Sequence, residues 1–238
     1  MDYITGSSGS ISIASPKTSI QLNSLDIKGN LTLYSLQGIT SNGLLEASSI
    51  GLYSFGGLGV GSSLNPVYVD TPSLAGSGYA GSVFINDNYS SGINLQSSTA
   101  NNELAINSNS SINVYGTLSA GVIALATNAN NGNINLNASL TGVSNVFLSA
   151  TGSGNIIQNS SLNYIKGNSV SLVSGSGNIG QGYFNTEATN LLVSTSASSN
   201  IFNNSNNPLT LFSANTGRNF TLTTLGNLTV LQKNHYRF

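Results

Sequence analysis

Two carboxylates and one glycine-rich word are the places where this sequence could do chemistry. Asp70 and Asp87 stand 17 residues apart, a spacing that could put them on neighbouring turns of a repeating backbone. Glycoside cleavage uses two carboxyl groups about 5–10 Å apart, one on each side of the bond to be broken. Asp87 has no second acid beside it and no nearby Arg, and the one histidine is His235, close to the C-terminus. Both aspartates are therefore predicted to be solvated turn acids, because ionised groups settle where water reaches them.

Gly175-Ser-Gly177-Asn-Ile-Gly180 has the glycine spacing of a dinucleotide-binding turn. That chemistry needs a strand before the word, a helix after it to aim N–H groups at a pyrophosphate, and an acid about 20 residues on. Gln181-Gly-Tyr-Phe-Asn185 follows without helical periodicity, and Gly57-Leu-Gly59-Val-Gly61 is a similar word elsewhere. The word reads as a repeated corner. Gly-Gly-x-Gly-x-Asp calcium repeats and an acidic EF-hand loop are both missing from the sequence. Cysteine is absent, which removes thiolate metal sites and disulfides. The expectation is a chain with no catalytic, cofactor-binding or metal-binding residues, and so not an enzyme. Asn30, Asn88, Asn109, Asn137, Asn159, Asn203, Asn219 and Asn227 each open an Asn-x-Ser/Thr sequon. In a chain with 35 Asn and 41 Ser, many such sequons arise by chance.

What must position any of these residues is one short word repeated throughout. It appears as Ile11-Ser-Ile13, Leu31-Thr-Leu33, Val67-Tyr-Val69, Ile93-Asn-Leu95, Ile134-Asn-Leu136, Val170-Ser-Leu172 and Leu228-Thr-Val230, among others. Alternation with period two puts one set of side chains inward and the other outward on a strand. Gly, Asn and Ser clusters bound each word, as strand-ending turns require. Asn65-Pro66 and Asn207-Pro208 each precede such a word, and a residue before proline favours extended backbone. Helical spacing is nearly absent. Strands this short, recurring every eight to fourteen residues, fit a solenoid better than a sandwich. The fold predicted is all-β: a right-handed parallel β-helix of about eleven coils of roughly 20 residues, about 50 Å long at ~4.8 Å per coil.

A longer repeat overlies the short one. Leu31-Thr-Leu33 answers to Val146-Phe-Leu148, Ile39 to Ile156, Val83 to Ile201 and Ile112 to Leu228, with offsets of 115 to 120 residues. We read residues 1–238 as a single β-helix segment with two copies of a repeat of about 118 residues, near 31–145 and an incomplete 146–238.

Composition fits that geometry. Only 5% of residues are charged, against roughly 25% in ordinary soluble domains. In a stack each side chain sits over its equivalent one coil away, where like charges repel and Asn, Ser or Thr can hydrogen-bond in ladders. The 39% hydrophobic content, spread evenly, argues against disorder. Six basic residues, scattered along the chain, give a net charge of −1. Nucleic-acid binding, which needs clustered Lys and Arg, is excluded as an expectation. No apolar run approaches the ~18 residues of a membrane-spanning helix. The first nine residues do not read as a signal peptide, so export would require a signal elsewhere and would make this chain a fragment.

Gly175-Ser-Gly-Asn-Ile-Gly180, Ser63-Leu-Asn-Pro-Val-Tyr-Val-Asp-Thr71 and Asn219-Phe-Thr-Leu-Thr-Thr-Leu-Gly-Asn-Leu-Thr-Val230 resemble the filamentous haemagglutinin-like family. These are large bacterial exoproteins exported by two-partner secretion, and autotransporter passengers are similar. The resemblance spans essentially the whole chain through degenerate words. It implies a β-helical stalk at the cell surface, an outer-membrane transporter as export partner, and a role in adhesion, aggregation or biofilm. The partners it implies are a host-cell or surface receptor or glycan, or other copies of the chain. Two alternatives stand beside it: a β-helical enzyme that binds or cleaves polysaccharide, and a self-assembling extracellular fibre subunit.

Overall fold

Ile20, Ile39, Val60, Val83, Leu104, Ile123, Val146, Val170, Leu191, Leu211 and Val230 stand one above the next, each step a parallel strand pair. Eleven rungs separated by 210 residues make ten turns averaging 21 residues. The computed structural model describes residues 9–182 and 184–231. His235 and the terminal Phe238 lie outside the described residues. Among the described residues there are 25 strands, all paired in parallel, and there is no helix. The chain is a parallel β-solenoid.

Two further columns run beside the first. One holds Ile11, Leu31, Ile50, Leu74, Leu95, Val114 and Leu136. The other holds Val67, Ile85, Ile106, Leu125, Leu148, Leu172 and Val193. From Leu31 onward these two columns are wholly buried and belong to one continuous core. Each buried aliphatic side chain contributes about 1.5–3 kcal/mol relative to leaving it in water. Because each coil touches mainly its neighbours, that stabilisation accumulates one interface at a time.

The coil changes shape along the axis. Leu31 and its neighbours sit in the six-residue strand Asn30–Ser35, followed by Gly38–Ser41 and Leu44–Glu46. Val60 and Val67 begin pairing with a single strand, Val83–Asp87, so two walls merge into one. On the other side Ser73–Gly78 pairs with both Ile93–Leu95 and Ser98–Ala100, so one wall splits. Between Leu118 and Ser174 a coil is one short strand and one long bent strand, such as Leu118–Thr127 or Leu140–Ala150. An offset of 115 to 120 residues thus advances the chain by about five and a half 21-residue turns. Leu31 and Val146 accordingly lie in different columns.

Side chains between coils form the expected ladders. The Asn113 amide donates to the Asn94 carbonyl oxygen at 3.1 Å, and that of Asn135 donates to Asn113 at 2.8 Å. Asn107 donates to Asn86 at 3.1 Å in the same way. The first two bonds satisfy amides that water reaches only in part.

Candidate functional site

Asp70 and Asp87 are on adjacent rungs, as their spacing suggested, because Val69 pairs with Asp87. They point to opposite sides of the wall. Asp70 faces out, in register with Glu46 and, one rung further, Asp26. Three carboxylates therefore stack where the sequence argument expected like charges to be avoided. Asp26 and Glu46 are exposed, and water weakens their repulsion. Among the described residues no group of three or more His, Cys, Asp or Glu is placed to hold a metal ion.

Asp87 corrects the prediction of a solvated turn acid: it is 1% exposed. It continues the inward phase of Val83 and Ile85 and takes the place held by Leu25, Leu45 and Val69 on earlier rungs. The rung beyond supplies Ser108, whose hydroxyl donates to the Asp87 carboxylate at 2.8 Å, while the Tyr89 N–H donates at 3.2 Å. Burial pushes the carboxyl up to about 6, against the lowering effect of the bonds from Ser108, Tyr89 and Thr71. The signal was present in the sequence. Residues 83, 85 and 87 share one face of a strand, and Ser108 and Thr127 follow at the same position.

The glycine word lies in a corner and leads into the strand Asn185–Thr195, with no helix behind it. Its reason is close stacking more than backbone conformation. A Cβ on Gly177 would run into the carbonyl oxygen of Gly154, and one on Gly154 into that of Gly132. Of the three glycines in the word only Gly180 has positive φ, at 73°.

The structure sorts the sequons. Asn203 is fully buried. Its carbonyl oxygen accepts from the Thr186 hydroxyl at 3.0 Å and the Ala188 N–H at 2.9 Å, and its amide donates to the Ala188 carbonyl at 3.2 Å. It serves as a structural cap and presents no acceptor for a sugar. Asn30, Asn88, Asn109, Asn159, Asn219 and Asn227 are exposed.

Sequence reasoning passed over the outward aromatics, because each word was read for its inward phase. Tyr34 stacks on Tyr53 with ring centroids 5.1 Å apart, and Phe55 on Tyr79 at 5.0 Å. With Leu36, half exposed, they form a ridge along one wall. Burial, together with Tyr34 and Tyr79, raises the Tyr53 phenol above its ordinary range. On another wall Phe147, Leu192 and Phe212 surround Ser171 in an open apolar cleft of about 230 Å³.

No protein-family model matches the chain, and neither a curated protein nor a solved structure matches it.

Proposed function

We propose that this chain is a structural and adhesive rod: a stalk segment of a secreted bacterial surface exoprotein, used for attachment, aggregation or biofilm. The observation that carries the reading is the unbroken ladder of eleven rungs from Ile20 to Val230. It gives a stiff body about 48 Å long at ~4.8 Å per step, whose outer face is mostly Ser, Thr and Asn. Such a body holds whatever it carries at a fixed distance from its anchor. Export through an outer-membrane transporter suits a chain that stabilises coil by coil as it emerges. The partner is a surface receptor or glycan, and the role is binding without catalysis.

The test is to couple the chain to beads and measure attachment to epithelial cells and to glycan-coated glass. Small-angle scattering on the same preparation gives its length. Attachment above that of beads carrying a non-adhesive protein, together with a rod profile, is the expected result. Beads that attach no better than the control would overturn the adhesive role.

A further inference from the structure

The long strands Leu140–Ala150, Ile165–Ser174 and Asn185–Thr195 stack in sequence and all bend at the same level. At the bend the inward positions are held by Gly142, Gly167 and Ala188, all buried. A Cβ on Gly142 would meet the Asn145 carbonyl and the Val146 side chain. Outside these small residues the outer surface is dented. The dent is a groove of about 390 Å³ that crosses three rungs.

Thr141, Lys166 and Glu187 form one wall of the groove, in register. Val143, Asn168 and Thr189 form the other, and Ser205 and Asn207 lie at one end. That end is fixed by Asn203, whose side chain pairs with both backbone groups of Ala188 in place of a further strand. Lys166 and Glu187 are joined at 3.1 Å, the one salt bridge among the described residues. They remain 57% and 28% exposed, so both can still bond outward.

We propose that this groove binds a linear, uncharged oligosaccharide lying along the solenoid axis. Hydroxyls and side-chain amides both donate and accept, as a ligand rich in hydroxyl groups requires. The ion pair adds charge-assisted bonds without net charge, which disfavours a strongly anionic or cationic ligand. Val143, 76% exposed at the rim, offers methyl groups to the C–H face of a sugar ring. An extended peptide would dock by pairing with a free strand edge, and at the one edge the groove offers, both backbone groups of Ala188 are already taken by the Asn203 side chain. Three rungs span about 10 Å, enough for two or three sugar rings. The groove holds one carboxylate, Glu187, where glycoside cleavage takes two, so the proposal is binding. It rests on the adhesive-rod reading for its biological purpose, though the binding itself does not require it.

Calorimetric titration of the 238-residue chain with cellotetraose, maltotetraose and chitotetraose at about 10 mM, tenfold above a millimolar Kd, is the test. At least one probe is expected to bind. Thr189→Trp, which fills the groove from an exposed position, and Glu187→Gln should each weaken it by about tenfold, equal to ~1.4 kcal/mol, with an unchanged thermal midpoint. Phe147→Ala, on another wall, should leave the affinity unchanged. Binding of none of the three probes, or full affinity in Thr189→Trp, would sink the proposal. Neither outcome touches the rod reading, which stands on axial length and bead attachment.

Discussion

Val69 and Asp87 face each other across one rung of the ladder, so a position that is aliphatic on one coil is a carboxylate on the next. The carboxylate is held by Ser108 and by backbone N–H groups, and among the described residues no cation pairs with it. Folding moves its pKa up, from 3.8 to about 6.

The sign of the pH dependence follows. Between those two values the folded chain holds a proton that the unfolded chain has released, so stability falls as pH rises through this window. Below about pH 3 both states are protonated and the effect vanishes. Denaturant unfolding at pH 4.5 and at pH 7.5 should differ by about 2 kcal/mol in favour of the acid condition. Asp87→Asn should flatten that slope. A variant as pH-dependent as the parent would show that Asp87 is not the source.

Truncating the same aliphatic type should cost more mid-column than at the end. Leu104→Ala removes a side chain packed between Val83 and Ile123 and should destabilise by about 2–5 kcal/mol. Leu222→Ala, only partly buried on a late rung, should cost less than about 1.5 kcal/mol. Urea midpoints with unchanged slopes would report both.

Two glycines should respond in opposite ways to alanine. Gly154→Ala forces a methyl into the Gly132 backbone and should cost about 1–3 kcal/mol, as overpacking does. Gly57 meets nothing within 4 Å and has no positive φ. Gly57→Ala should be neutral or stabilise by about 0.4–1 kcal/mol, through lower entropy of the unfolded chain. Thermal melts of the pair give the comparison.

Asn113 bonds to the rung below and to the rung above. Asn113→Ala leaves a donor on Asn135 and an acceptor on Asn94 without their partner. The expected loss is about 1–3 kcal/mol, with local hydrogen exchange rising first at rungs 93–95 and 134–136. Uniform exchange along the chain would argue that the ladder carries no local stability.

The architecture was legible because inward residues such as Leu31, Leu33 and Ile39 announce themselves by alternation. Pairing a coil only with the next one then turns a list of words into columns. The turn length emerged near the expected value for the same reason. What stayed hidden depends on the third dimension. Asp87 was read by residue type, and type says solvent; its phase with Ile85 says interior. The merging of Val60 and Val67 onto one strand leaves no mark in composition, since both remain ordinary inward valines. The groove lies outside a bend made by Gly142 and Gly167, and glycine in a sequence reads first as a turn. The outward aromatics are spaced like any exposed residue, and only the local coil length, 19 residues at this rung, brings Tyr34 onto Tyr53.

The hydrogen bonds of the ladder run along the long axis, from each rung to the next. A pull between the two ends therefore loads a single interface at a time, as a zip is loaded at its slider. Each rung that gives way pays out a turn of backbone, about 70 Å at ~3.4 Å per residue, while the rungs behind it hold. Under such a load the solenoid lengthens in steps, where a body whose rungs all parted together would fail at once.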